Sequence, residues 1–95
     1  MLFTLQHSPY QCDFPALLRL ISQDDVLLLL QDGVIAAVNG GTAMAQLQAL
    51  NIKTFALRED VQARGLAVHI SHSVPLVDYT GFVALTEQHH QQLAW

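Results

Sequence analysis

An α/β fold with a small, mostly parallel sheet flanked by helices is the class this sequence predicts, and three observations point to it. Val26-Leu27-Leu28-Leu29-Leu30 is an unbroken apolar run with no alternation, the pattern of a strand covered on both faces. Apolar runs of this kind alternate along the chain with helical patterns, separated by turn residues. Short connections punctuate them regularly, with no internal repeat, low-complexity block or linker. Ninety-five residues make one domain, spanning 1–95.

The elements follow in order. Leu2-Phe3-Thr4-Leu5 reads as a first strand closed by His7-Ser8-Pro9. Asp13 is a good N-cap, and Pro15 is tolerated in a first helical turn, whose amides lack intrahelical partners. Leu17, Leu18, Leu20 and Ile21 give that helix an apolar face, with Arg19 pointing away. Asp24-Asp25 then leads into the strand from Val26 to Leu30.

Asp32-Gly33 admits two readings. Asp-Gly is a strong hairpin signal, and it equally suits a strand-to-helix turn with Asp32 as N-cap of a short helix through Val38. Ala36 and Ala37 favour the helix, with Asn39-Gly40-Gly41 as its stop. The run from Val34 to Val38 has no polar stripe to offer to water, which makes it the best candidate for surface hidden by another subunit, with internal burial beneath the later helices as the alternative.

Thr42 caps the next predicted helix, in which Met44, Leu47 and Leu50 recur along one face. Ile52 to Leu57 is a third strand. From Glu59-Asp60 to Arg64-Gly65 a short helix is expected, with acids first and a cation last, complementing the helix dipole. Val68-His69-Ile70 and Val74-Pro75-Leu76-Val77 read as short extended segments. A last helix starts near Asp78 or Thr80, with Phe82, Val83 and Leu85 on its buried side.

Composition narrows the function. Apolar residues make up 52% of the chain and charged residues 13%, against about 25% charged in a typical globular protein. Ten glutamines and five histidines supply the polarity, and Lys53 is the only lysine. A surface this poor in charge resembles the buried centre of a subunit interface. The net charge of −4, with Arg19, Lys53, Arg58 and Arg64 scattered, argues against direct nucleic-acid binding. The start lacks the features of a signal peptide, and no apolar run has the length to span a membrane. The single cysteine, Cys12, fits a reducing cytosol, so a cytoplasmic subunit is expected.

The catalytic inventory is close to empty. Cys12 is the one candidate thiol nucleophile, just before a helix whose dipole lowers a thiol pKa and with His7 nearby as a base. Asp13 beside it acts in the opposite direction, and Cys12 reads more simply as an incidental cysteine at the approach to a helix. His69 and His72, three apart in an extended segment, face opposite sides and do not share a metal. His89-His90 read as a helix C-terminus or a solvated tail. Asn39-Gly40-Gly41-Thr42 before a helix is able to cradle a phosphate but lacks a P-loop lysine and reads as a plain turn. Asp78 and Glu87 as an acid/base pair have nothing beyond two carboxylates behind them. Neither cofactor nor metal is expected.

Leu27-Leu28-Leu29-Leu30-Gln31-Asp32-Gly33-Val34, followed by Ala36-Ala37-Val38, resembles the signature of the TusB/DsrH family of sulfur-relay proteins. Further pieces occur in the expected order: Ser8-Pro9-Tyr10, Asp13-Phe14, Leu17 to Leu20, Glu59-Asp60 with Ala63 to Leu66, Asp78-Tyr79-Thr80 with Phe82-Val83, Leu85-Thr86 and Ala94-Trp95. The resemblance covers essentially the whole chain. It implies a DsrE/F-like three-layer sandwich and resolves Asp32-Gly33 toward the strand-to-helix turn.

For function the resemblance implies a heterohexamer of TusB-type, TusC and TusD subunits, two copies of each. That complex takes persulfide sulfur from TusA toward TusE for 2-thiolation of the tRNA wobble uridine. In the family the persulfide cysteine belongs to TusD, in the later part of that chain, where the present sequence has none. Some relatives carry a cysteine within the first helix, where this chain has Leu17-Leu18-Arg19-Leu20. No role therefore passes to Cys12, and a non-catalytic, scaffolding subunit is expected. The alternative is a persulfide carrier or redox protein using Cys12, and homo-oligomerisation of the isolated chain stays open.

Overall fold

Five strands form one sheet in the order β4-β3-β2-β1-β5, and every pairing is parallel. The computed structural model describes all 95 residues. The strands are β1 (Leu2–Leu5), β2 (Val26–Leu29), β3 (Lys53–Leu57), β4 (Leu76–Val77) and β5 (Gln92–Ala94). The helices are α1 (Phe14–Leu20), α2 (Thr42–Ala49), α3 (Arg58–Ala63) and α4 (Tyr79–Gln88), with 3₁₀ segments at Gln31–Ala37 and Ala67–His69.

The chain order of the sheet decides where the helices go. From β1 to β4 the strands advance in one direction, so right-handed crossovers keep α1, α2 and α3 on one face. The connection from β4 to β5 runs back across the whole sheet, so the same right hand puts α4 alone on the other face. Three layers result, as expected. The helix-rich face holds a buried cluster of 16 residues, including Phe3, Leu5, Leu17, Leu27, Leu29, Leu47 and Val61. Beneath α4 the buried cluster has only five: Leu2, Val26, Leu28, Leu30 and Leu57. The second face is thinly covered, and α4 itself has no buried residue.

β1 and β2 are buried at every position, in the register Leu2↔Val26 to Leu5↔Leu29. This is the two-faced burial that the apolar run at Val26 predicts. The run after it takes the second of its two readings, internal burial, and not cover by another subunit. Val34, Ala36 and Ala37 are buried by the chain itself, within the 16-residue cluster, so no second subunit is needed to cover them. Gln31–Ala37 is a 3₁₀ segment with no side-chain cap from Asp32; its N-cap position is Leu30. Asp32 pairs instead with Arg64 at 3.0 Å.

Other expectations are corrected at helix margins. Leu20 is exposed, because α1 ends there and its buried stripe runs through Phe14 and Leu17 to Ile21. Thr42 is the first residue of α2, and the N-cap is Gly41. Leu50 lies beyond the last turn and is exposed, whereas Ala43, Met44 and Leu47 are buried. Val68-His69-Ile70 is a 3₁₀ turn followed by a lone antiparallel bridge from Ile70 to Val38. On α4, Phe82 and Leu85 are half-buried and three apart, while Val83 falls off that face and is exposed. His89-His90 do not end in a tail: they connect α4 to β5, a strand with no counterpart among the predicted elements.

Candidate functional site

The one thiol lies in the segment between β1 and α1, at the carboxyl end of the sheet. Asp13 caps α1 as predicted, its Oδ1 accepting from the Ala16 amide at 3.1 Å, and Cys12 precedes that cap. Cys12 is half-buried against the larger apolar cluster. Burial pushes its thiol pKa up, and the Asp13 carboxylate pushes it further in the same direction. Both effects disfavour the thiolate, the form that attacks as a nucleophile.

His7 does not serve as its base. The His7 Nδ1 lies 3.0 Å from the carbonyl oxygen of Trp95, and no hydrogen bond joins His7 to Cys12. Trp95 is the residue that sequence reasoning missed here. Its backbone amide donates to Thr4 at 2.7 Å, and its indole Nε1 donates to the Asp13 carbonyl at 3.1 Å. The strand that precedes it, β5, pairs with the edge of β1 that β2 leaves free, so the backbone groups of the buried β1 find partners on both sides.

Tyr10 is the second missed residue. Its ring is exposed, but its hydroxyl accepts from the Ala43 amide at 3.4 Å, occupying the start of α2 where no side-chain cap is present. In the adjoining turn the Asn39 amide donates to His69 and the Gly41 amide to Val38. Two of the four amides of Asn39–Thr42 are thus committed within the chain.

The remaining candidates are not brought together. His69 and His72 are exposed, and no group of three or more His, Cys, Asp and Glu side chains is placed to hold a metal. Asp78 caps α4, its Oδ1 accepting from the Gly81 amide at 2.8 Å. Glu87 lies nine residues along that helix, about 13 Å away at helical rise. The acids at the start of α3 tie neighbouring segments: Asp60 Oδ2 accepts from the Gln31 amide at 2.6 Å, and Glu59 Oε2 from the Tyr79 amide at 3.2 Å.

An all-parallel, five-stranded α/β sandwich whose one thiol sits half-buried at the approach to its first helix is the class these features define. Residues 7–92 match the family described as DsrH like protein, and the chain belongs to that family. It is 55% identical to Protein TusB of Escherichia coli K12 over 95 residues, all of both chains. Protein TusB of Serratia proteamaculans is 50% identical over the same full length. Among solved structures, E. coli ychN superposes with a TM-score of 0.78 at 18% identity, covering 99% of this chain and 97% of that one. Protein Tm0979 of Thermotoga maritima gives 0.66 at 26% identity, covering 96% and 97%. No helix of the structure is long and apolar enough to cross a membrane.

Proposed function

We propose that this chain is a non-catalytic subunit of the TusBCD sulfur-transfer complex, which relays persulfide sulfur from TusA toward TusE for 2-thiolation of the tRNA wobble uridine. It takes the TusB position in a cytoplasmic heterohexamer with two copies each of TusC and TusD. The observation that carries the reading is the end-to-end identity of 55% with a protein named TusB.

Two structural features support it. A half-buried thiol with a raised pKa is poorly suited to accept and hand on sulfur, so building the assembly suits this chain better than carrying its cargo. Apolar side chains also remain uncovered: Val68 is 88% exposed and Tyr79 64%, the latter on the helix of the thinly covered face. Burial of such groups rewards assembly.

Co-expression with TusC and TusD, followed by native mass measurement of the purified assembly, tests the proposal. The expected result is this chain present in equal number with the other two. A stable assembly of TusC and TusD from which this chain is absent would overturn it.

A further inference from the structure

We propose that β5 and Trp95 form a strap that opens as a local unit and, when closed, holds the segment 6–13 with its Cys12 thiol against the sheet. β5 pairs with β1 alone, over three positions, and all three of its residues are exposed. None of them belongs to either buried cluster. β1 and β2, by contrast, are buried throughout. Few buried contacts combined with a one-sided ladder mark a segment at the low end of local stability.

Besides the β1 ladder and the Gln92 side chain, whose Nε2 donates to the Thr86 carbonyl at 3.2 Å, what ties the strap to the segment 6–13 is Trp95. Its amide donates to Thr4, and its carbonyl oxygen accepts from the Gln6 amide at 3.5 Å and lies 3.0 Å from His7 Nδ1. Its indole Nε1–H reaches the Asp13 carbonyl, and the ring packs against the same apolar cluster as Cys12. One residue, through its backbone at one end and its indole at the other, thus spans from the end of β1 to the cap of α1, across the segment that contains the thiol. When the strap opens, Gln6, His7 and Asp13 lose these partners together, while Asp13 keeps its own cap on Ala16 and Tyr10 its contact with Ala43.

Native-state hydrogen exchange of the wild-type chain in increasing urea is the first test. The Leu2 amide, bonded to Gln91, and the Gln6 and Trp95 amides should exchange with a shallow urea dependence. The Val26 and Leu30 amides, bonded across β1 and β2 to Met1 and Leu5, should follow global unfolding. Equal slopes for the two sets would overturn the strap.

Modification of Cys12 by 5,5′-dithiobis(2-nitrobenzoate) is the second test. Trp95→Ala should raise the rate about tenfold or more under conditions where β2 amides remain protected. Trp95→Phe, which keeps the ring and loses the indole donor, should fall between. An unchanged rate in Trp95→Ala, or a rise that only follows the variant's global unfolding constant, would reject the proposal.

Discussion

Gly33 packs so closely on Leu5 that a Cβ at position 33 would overlap the Leu5 carbonyl oxygen and lie 2.7 Å from its carbonyl carbon. The obstacle is backbone, and that same carbonyl is held in place by the Leu30 amide at 3.0 Å. The glycine is therefore required by close approach of the 3₁₀ segment to β1. Gly33→Ala should cost about 3 kcal/mol, at the upper end of overpacking, measured by urea unfolding. Gly40→Ala is a useful contrast: it meets a positive φ of 83° but open space, and should cost only about 1 kcal/mol.

Tyr10 caps α2 through its hydroxyl, from 33 residues away in the chain. Tyr10→Phe removes that acceptor and keeps the ring. Because the bond is long, at 3.4 Å, a loss of about 0.5 kcal/mol is expected in urea unfolding. The Ala43 amide should also exchange faster in the variant, and unchanged protection there would show that the hydroxyl does not cap the helix.

The first three strands were legible because each is a run of apolar residues bounded by turn chemistry, and the parallel sheet followed from Val26 to Leu30 being covered on both faces. β5 was not legible. Gln92-Leu93-Ala94 has no burial pattern, since its order derives from β1 rather than from its own side chains. Asp32-Gly33 was placed correctly as a break but for the wrong reason, because positive φ falls on Gln31 and the glycine answers to Leu5. Of the two readings of the run from Val34 to Val38, internal burial is the one realised, because 3₁₀ winding tucks small side chains under the helices. At the candidate site, Asp13 gives the direction of the smaller effect on Cys12 from sequence alone, whereas the larger one, burial, needs the fold. Trp95 was beyond reach, because its partner Asp13 is 82 residues away.

Asp60 fixes the positive-φ residue. Gln31 has φ 51°, and its amide is held by Asp60 Oδ2 while Arg64 bridges to Asp32 alongside. Asp60→Ala should cost about 1–2 kcal/mol, since a charge-assisted bond to a strained backbone is lost. Gln31→Gly in the Asp60→Ala background should recover part of that loss by removing the Cβ that disfavours the left-handed conformation. Chemical denaturation of both variants decides; no recovery would place the cost elsewhere.

Asp25 gives acid sensitivity a specific source. Burial raises its pKa, but bonds from the Ser22 amide at 2.9 Å, the Met1 ammonium and the Ser22 hydroxyl outweigh this and hold the carboxyl below its ordinary value. A depressed folded-state pKa means that the carboxylate stabilises the fold fully above the unfolded value of about 3.9. That stabilisation is lost as pH falls through the lower, folded value. Asp25→Asn should lose about 1 kcal/mol at pH 7, and the difference from wild type should shrink below about pH 4. A difference independent of pH would remove the carboxylate's charge from the account.

Cys12 should titrate above an ordinary thiol. Its reaction with iodoacetamide follows the thiolate, so the midpoint of the rate against pH should exceed that of an unstructured cysteine peptide, about 8.5. Burial is the larger cause and Asp13 the smaller, and the two separate by substitution. Asp13→Asn removes the negative charge, and asparagine is an equally good N-cap, so α1 should remain intact. The midpoint should then move down without reaching the peptide value, because the burial remains. A wild-type midpoint at or below that of the peptide would reverse the reading of Cys12 as a protected thiol. An Asp13→Asn midpoint equal to wild type would assign the whole shift to burial.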